Sequence, residues 1–414
     1  MDWDFKVNAI LAVGIIVTIG LFGGFAAKKL KFPTISGYII IGIIISLSHI
    51  IPEELINGGL DIITDISLGI IGYLVGGGLY LKKLKKFGKN IAMITPFEAL
   101  GAWIFVTVSV FFLGPFIIKT GAASSGTLYS YYLPMAIVLG AISCATAPAA
   151  TFAIVREYKA MGPFTTTLLA IIVLDDAVAV IAYAVGSNVA SSLITGFQNI
   201  SWYRMLMIPL IDIFGAIILG AAVGFGLSYV GRFIKKKQQL LAIVAGAIFI
   251  CVGASKALGL SSILANMTMG FVVVNRMNNN ESMFGVIHNI EVIIFAMFFT
   301  LAGAHFDISV IKAAGILAAV ITFARFVGKF VGVRVGGAIS HAPPEVSKYL
   351  GFGLFPIAGV TIGLAMLVKE YQAFSSISSI MINGILASVI INEIIAPFLT
   401  RYAIFKVGEA GRKD

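Results

Sequence analysis

The 414-residue sequence is poor in cysteine and in charge, and each shortage excludes a class of protein. Its two cysteines, Cys144 and Cys251, lie far apart in apolar segments, so they predict neither a disulfide framework nor a metal site. Charged residues make up 12% of the chain, about half of the roughly 25% found in soluble domains. No glycine-rich phosphate-binding loop is present, so we expect no enzyme, no cofactor and no attached nucleotide-binding domain.

Hydrophobic residues make up 59% of the chain. This composition predicts an all-α polytopic membrane protein. A helix that crosses a bilayer needs ~20 consecutive apolar residues, and thirteen segments come near that length. We place these spans at residues 7–27, 33–50, 62–81, 91–118, 129–155, 162–186, 206–231, 239–254, 258–275, 286–303, 309–338, 349–368 and 376–402. Residues 1–414 are therefore treated as a single membrane domain in contact with the lipid bilayer.

The net charge is +10, and the basic residues that produce it lie mostly in short loops between the predicted spans. This distribution indicates membrane topology and gives no sign of a nucleic-acid-binding surface. With the amino terminus outside, the inner loops and the carboxyl-terminal tail hold 21 of the 29 Lys and Arg residues, and the outer loops hold 6. Such an excess marks the cytoplasmic side. The map therefore predicts a multi-pass protein of the cell (inner) membrane, with its amino terminus outside and its carboxyl terminus in the cytoplasm.

Two predicted spans contain helix breakers in their middles. Pro148 interrupts the fifth span after Ala147, and Pro356 interrupts the twelfth span before Thr361. Broken helices in corresponding positions of two inverted repeats frame the ion site of many secondary transporters. Thirteen spans divide into six, a linker and six, which places spans five and twelve in register. We therefore expect two inverted six-helix repeats with discontinuous crossing helices; for either proline alone, a simple kink is the alternative.

Two pairs of charged residues lie deep within predicted spans, and charge at that depth is a functional hypothesis by default. Asp175 and Asp176 are adjacent in the sixth span, and Arg325 and Lys329 are one helical turn apart in the eleventh. Successive helical residues point about 100° apart, so one aspartate can meet a basic partner while the other faces an ion path. A buried ion pair that only ties two helices together is the alternative, and Lys329 can instead extend towards the inner surface.

Several motifs together resemble the monovalent cation:proton antiporter family 2, which includes sodium/proton antiporters and potassium/proton efflux proteins. The resemblance covers nearly the whole membrane region. The matching segments are Phe32–Gly42, Thr146-Ala147-Pro148, Val173-Leu174-Asp175-Asp176, Leu260–Ala265 leading to Gly270-Phe271, and the run from Arg325 through Gly328 to Gly332.

This resemblance implies a homodimeric, elevator-like antiporter. The moving core would comprise about residues 91–186 and 309–402, and the dimerisation scaffold about 1–90 and 206–303. Asp176 would bind a monovalent cation and a proton in competition. Asp175 would pair with the basic residue of the eleventh span, for which Arg325 matches the position best. Relatives place Lys there, and arginine does not release a proton.

A second departure concerns Ala147, where family-1 antiporters carry aspartate, so the Thr146 hydroxyl or nearby carbonyls are expected to bind the cation instead. Na⁺ is the favoured ion, with Li⁺ as a further candidate. A K⁺/H⁺ antiporter and a sodium-coupled organic-solute symporter of similar fold remain open. Glu98 and Glu393 are expected to have structural roles near the broken helices.

Overall fold

The computed structural model describes residues 7–30, 32–52, 54–118, 128–195, 202–234, 236–277, 280–288, 290–305, 308–357, 359–368 and 372–411. These residues are helical, with no strand among them. Their α-helices are α1 (Ala9–Lys29), α2 (Thr34–Ser48), α3 (Asp61–Gly77), α4 (Leu81–Ile117), α5 (Leu133–Ile142), α6 (Pro148–Glu157), α7 (Pro163–Thr195), α8 (Trp202–Gly231), α9 (Lys237–Ala257), α10 (Ser262–Arg276), α11 (Asn280–His288), α12 (Glu291–Ala304), α13 (Ile308–Ser340), α14 (Pro344–Gly353), α15 (Gly359–Leu367) and α16 (Ser378–Lys406). Short helical turns lie at Leu55–Gly59, Leu128–Tyr132 and Gln372–Phe374.

Seven of the described helices contain a segment long and apolar enough to cross a membrane. These segments are Ala9–Lys29, Lys85–Ile117, Pro163–Thr195, Leu210–Gly231, Lys237–Ala257, Ala314–Ser340 and Ser378–Lys406. Shorter apolar helical segments lie at Thr34–Ser48, Tyr129–Ile142 and Glu291–Ala304. The all-helical architecture of a multi-pass membrane protein therefore agrees with the prediction.

The bounds of several helices differ from the predicted spans, and two of these differences show the reason. Helix α4 begins at Leu81 and so includes the basic run 82–86 that the sequence map assigns to a loop. The predicted span 286–303 corresponds to α12, which begins only at Glu291, and a separate nine-residue helix, α11, precedes it. Both differences have one cause: an apolar window marks the part of a helix suited to lipid, and the helix itself ends where its backbone hydrogen bonds end.

The chain divides into two compact units. The first comprises Met1–Leu81, Phe152–Glu157 and Asp212–Asp307, and the second comprises Lys82–Thr151, Tyr158–Ile211 and Ile308–Asp414. In the first unit α3 packs on α10, and α2 packs on both α1 and α12. In the second unit α13 packs on α16 and α14, and α5 packs on α7.

Glycines bring the helices of both units into close contact, as expected for helices that associate in lipid. In the first unit a Cβ added at Gly303 would lie 2.3 Å from the Ile39 carbonyl oxygen. In the second unit a Cβ at Gly328 of α13 would lie 2.3 Å from the Gly101 carbonyl oxygen of α4. A side chain at either position would separate the paired backbones, so glycine sets the helix spacing there.

Candidate functional site

Two helix interruptions meet inside the second unit. The first interruption separates α5, which ends at Ile142, from α6, which begins at Pro148; the second separates α14, which ends at Gly353, from α15. The Ala147 amide donates a hydrogen bond of 2.9 Å to the Pro356 carbonyl and so joins the two interruptions. Proline is suited to the first position of a helix because its missing N–H would have no partner there.

Arg325 of α13 binds the free carbonyls of both interruptions. Its Nε donates to the Ser143 oxygen at 2.9 Å, its Nη1 to the Phe355 oxygen at 2.7 Å, and its Nη2 to the oxygens of Ala145 at 2.7 Å and Leu354 at 3.2 Å. The last carbonyls of a helix lack intrahelical partners and carry partial negative charge. The fully buried guanidinium therefore stabilises the ends of α5 and α14 together.

The ion pair with Asp175 is made by Lys329, one helical turn further along α13. Its Nζ lies 3.1 Å from Asp175 Oδ2 and 2.5 Å from Glu98 Oε2, and it donates to the Thr146 hydroxyl at 2.8 Å. Thr146 Oγ1 in turn donates to Asp175 Oδ2 at 2.5 Å. All three ammonium protons of Lys329 thus have acceptors.

The structure therefore differs from the predicted pairing of Asp175 with Arg325. Among the described residues no ion pair joins these two side chains, and the hydrogen bonds of Arg325 all go to backbone carbonyls. The reason is depth along α13: four residues separate Arg325 from Lys329, a rise of about 6 Å. The open carbonyls lie within reach of Arg325, and Asp175 lies within reach of Lys329.

Asp176 has a different environment from its neighbour. Its side chain is 6% exposed, and the described part of the chain offers it no ion pair and no hydrogen bond to Oδ1. Asp175 is likewise buried, with Oδ2 held by Lys329 and Thr146 and only Oδ1 left without a partner. The two adjacent carboxylates are thus distinct: one is anchored and the other is unpaired.

The buried charges of the site leave one negative charge in excess. Glu98, Asp175 and Asp176 supply three carboxylates, and Arg325 and Lys329 supply two cations; all five are buried. An uncompensated buried charge is strongly unfavourable. An arrangement of this kind favours binding either a proton or a single monovalent cation at the unpaired carboxylate.

The remaining predicted residues lie at the interruptions. Ala147 lies within the first and Pro148 begins α6, whereas Pro356 lies within the second and Thr361 lies in the first turn of α15. The Thr361 hydroxyl is buried and has no hydrogen-bond partner among the described residues, and no contact described for it reaches either aspartate.

Sequence reasoning missed the roles of Lys329 and Glu98. The sequence favours Arg325 as the partner of Asp175, allows Lys329 to extend to the inner surface, and gives Glu98 a structural role. One signal was available for Lys329, since it shares a helix face with Arg325 at a spacing of four residues. No sequence pattern predicts the contact between Glu98 and Lys329, because the two residues are 231 positions apart in the chain.

Among the residues that the structure describes, no group of three or more His, Cys, Asp or Glu side chains is placed to hold a metal ion. Two carboxylates and a hydroxyl are oxygen ligands, the type that hard cations prefer.

Comparisons with known proteins identify the family to which this chain belongs. The family model described as "Sodium/hydrogen exchanger, transmembrane" matches residues 14–404. The "Probable Na(+)/H(+) antiporter GerT" of Bacillus cereus is 24% identical over 362 residues, covering 85% of this chain and 88% of that protein.

Solved structures of the sodium proton antiporter MjNhaP1 from Methanocaldococcus jannaschii share the fold. The structure at pH 8 has a TM-score of 0.69 at 18% identity, and the electron-microscopy structure has a TM-score of 0.77 at 17% identity. Each covers 98% of this chain and 99% of the matched chain. The resemblance to cation:proton antiporters predicted from the motifs is confirmed. The chain is a transporter and not an enzyme, and it belongs to the sodium/hydrogen exchanger family.

Proposed function

We propose that this protein exchanges Na⁺ for protons, with Li⁺ as a further substrate, and that the cation and the proton compete for Asp176. The observation that carries the proposal is the buried Asp176 carboxylate without an ion-pair partner. Protonation removes the charge that holds the cation, and cation binding displaces the proton. Only one of the two can occupy the carboxylate at a time.

The neighbouring groups divide into ligands and supports. The unpartnered Oδ1 of Asp175 is available to a cation beside Asp176. The carbonyls of Ser143, Ala145, Leu354 and Phe355 already accept bonds from Arg325. Because the Thr146 hydroxyl is bonded to both Lys329 and Asp175, we assign it to positioning Asp175, and water completes the coordination.

Transport requires that the site face each side of the membrane in turn, and we propose elevator-like alternating access for this step. In this mechanism thirteen spans form two inverted six-helix repeats. A core of about residues 91–186 and 309–402 moves against a scaffold of about residues 1–90 and 206–303, through which two copies form a homodimer. The two helix interruptions, which lie in one compact unit, support the repeats. The orientation in the cell membrane, amino terminus outside, rests on the distribution of Lys and Arg.

Two other substrates define the competing proposals. The sodium named in the relatives' descriptions favours Na⁺ over K⁺. An organic solute would need more polar or aromatic side chains around the interruptions than Thr146 and Thr361 supply.

The test is cation-driven proton flux in proteoliposomes at several pH values, with Na⁺, Li⁺, K⁺ or an organic solute and the membrane potential clamped. Wild-type protein should exchange Na⁺ for H⁺, and Asp176→Asn should reduce the flux to that of protein-free vesicles. Asp61→Asn, at an exposed aspartate of α3, is the matched control and should transport normally. Persistent exchange by Asp176→Asn would overturn the assignment.

A further inference from the structure

The buried carboxylate of Glu98 is not accounted for by the proposed exchange at Asp176. Glu98 lies on α4 and is 0% exposed, and its Oε2 lies 2.5 Å from Lys329 Nζ. Its Oε1 has no hydrogen-bond partner among the described residues. Burial of a carboxylate is costly unless it is paired and hydrogen-bonded. A buried carboxylate with a partner for just one of its two oxygens therefore needs an explanation.

Lys329 is shared between two carboxylates. Its ammonium binds Glu98 Oε2 and Asp175 Oδ2 at 2.5 and 3.1 Å, so the shorter contact is with Glu98. One positive charge divided between two negative charges cannot neutralise both. The remaining negative charge adds to that of Asp176, next to Asp175 on α7.

A purely structural role for the Glu98–Lys329 pair is to hold α4 against α13. Glycine contacts already do this on both sides of Lys329, because a Cβ at Gly328 would lie 2.3 Å from the Gly101 oxygen and one at Gly332 would lie 2.1 Å from the Phe97 oxygen. Direct backbone packing of this kind is sufficient for helices to associate in lipid. The carboxylate at position 98 therefore contributes something besides helix contact.

We propose that Glu98 is a positioning residue that sets the cation affinity of the aspartate pair by drawing Lys329 away from Asp175. With Glu98 charged, Lys329 compensates Asp175 only in part, and the network of Glu98, Asp175, Asp176, Arg325 and Lys329 carries one net negative charge. Without that carboxylate the network is neutral, and a bound cation would leave it positive. The inference rests on the proposed exchange at Asp176.

The first test is the sodium dependence of exchange by Glu98→Gln in proteoliposomes. The apparent KM for Na⁺ should rise roughly tenfold or more, since a unit charge several ångströms away in a medium of low dielectric has an effect of that order. Glu98→Asp keeps the charge and should return the KM towards the wild-type value. Thr95→Val is the matched control, because Thr95 is a buried, uncharged residue of the same helix whose hydroxyl bonds to the Ile91 carbonyl, and it should leave the KM unchanged.

The second test restores the charge balance and separates charge from structure. In Glu98→Gln/Lys329→Gln the network regains one net negative charge, so the KM for Na⁺ should fall below that of Glu98→Gln alone. If Glu98 and Lys329 had a structural role alone, the double variant would have a higher KM than Glu98→Gln, because the damage from the two substitutions would add. Stabilisation of detergent-purified protein by NaCl relative to choline chloride, read as a shift in Tm, reports the same affinity without transport.

The outcomes distinguish this inference from the function on which it rests. If wild-type protein shows no sodium-dependent proton flux, or if Asp176→Asn retains that flux, the proposed function of Na⁺/H⁺ exchange at Asp176 is wrong. If wild-type flux depends on Asp176 but Glu98→Gln keeps the wild-type KM and the wild-type stabilisation by NaCl, only the role of Glu98 is overturned. A double variant with a higher KM than Glu98→Gln would also overturn it.

Discussion

The two compact units pack their helices by the same means and bury very different side chains. In the first unit α2 meets α12 through Gly42 and Gly303, and in the second α4 meets α13 through Gly101 and Gly328. Among the described residues, Glu291 is the one charged side chain buried in the first unit, and it pairs with Arg156. The second unit buries Glu98, Asp175, Asp176, Arg325, Lys329, Glu393 and Glu409.

This comparison separates packing from function. Glycine contacts recur in both units, so they are a general device for helix association and do not by themselves mark a site. Buried charge is concentrated in the unit that contains the interrupted helices. There each charge except those of Asp176 and Glu393 has a described partner. Of these two carboxylates, Asp176 is the one next to Asp175, which Lys329 anchors, and this position supports its proposed role in exchange.

The largest effect on stability is expected at Arg325. Arg325→Ala would leave the carbonyls of both interruptions without donors, and we expect a loss of about 3–5 kcal/mol, as for other buried groups that lose a charged partner. Arg325→Lys should lose less, because it keeps the charge but not the planar set of donors. Thermal unfolding in detergent measures both. Equal stability of wild type and Arg325→Ala would contradict the bridging role.

A matched pair of glycine substitutions tests whether the units differ in function but not in packing. Gly303→Ala and Gly328→Ala each place a Cβ 2.3 Å from a backbone oxygen, and each should destabilise by about 1–3 kcal/mol. Only Gly328→Ala should also change the apparent KM for Na⁺, because it moves the helix that carries Lys329. Gly246→Ala, where no atom lies within 4 Å, is the control. An equal change of KM in both variants would remove the distinction.

The smallest effect is expected for an ion pair at the surface of the first unit. Lys256 contacts Asp65, and 56% of its side chain is exposed. Exposed ion pairs contribute about 0–1 kcal/mol, so Lys256→Ala should scarcely change the melting temperature and should transport at the wild-type rate. A loss of transport would show that the first unit takes part in ion binding.

The fold was largely predictable from sequence, because lipid imposes a simple constraint on composition and length. Apolar stretches located the long helices, and the two prolines located the interruptions before α6 and α15. The bounds of α4 and α11 were not predicted. Helix α4 extends beyond its apolar segment into a basic run, and α11 begins before the apolar segment that the sequence shows.

The aspartate pair of the site was predictable from sequence, and the partners of the two aspartates were not. Asp175 and Asp176 stand out because adjacent carboxylates are rare in an apolar helix. Their partners depend on which residues of separate helices meet at the same depth, and a rise of one turn along α13 decides between Arg325 and Lys329. The contact of Glu98 with Lys329 is tertiary and leaves no local pattern in the sequence.

The central claim is that a proton and a sodium ion exclude one another at Asp176. The direct measurement is proton release when Na⁺ is added to purified protein in a weakly buffered solution containing a pH indicator, with choline as the control cation. Wild-type protein should release protons in proportion to the Na⁺ bound, and Asp176→Asn should release none. Sodium binding without proton release by the wild type, or undiminished release by Asp176→Asn, would contradict the account.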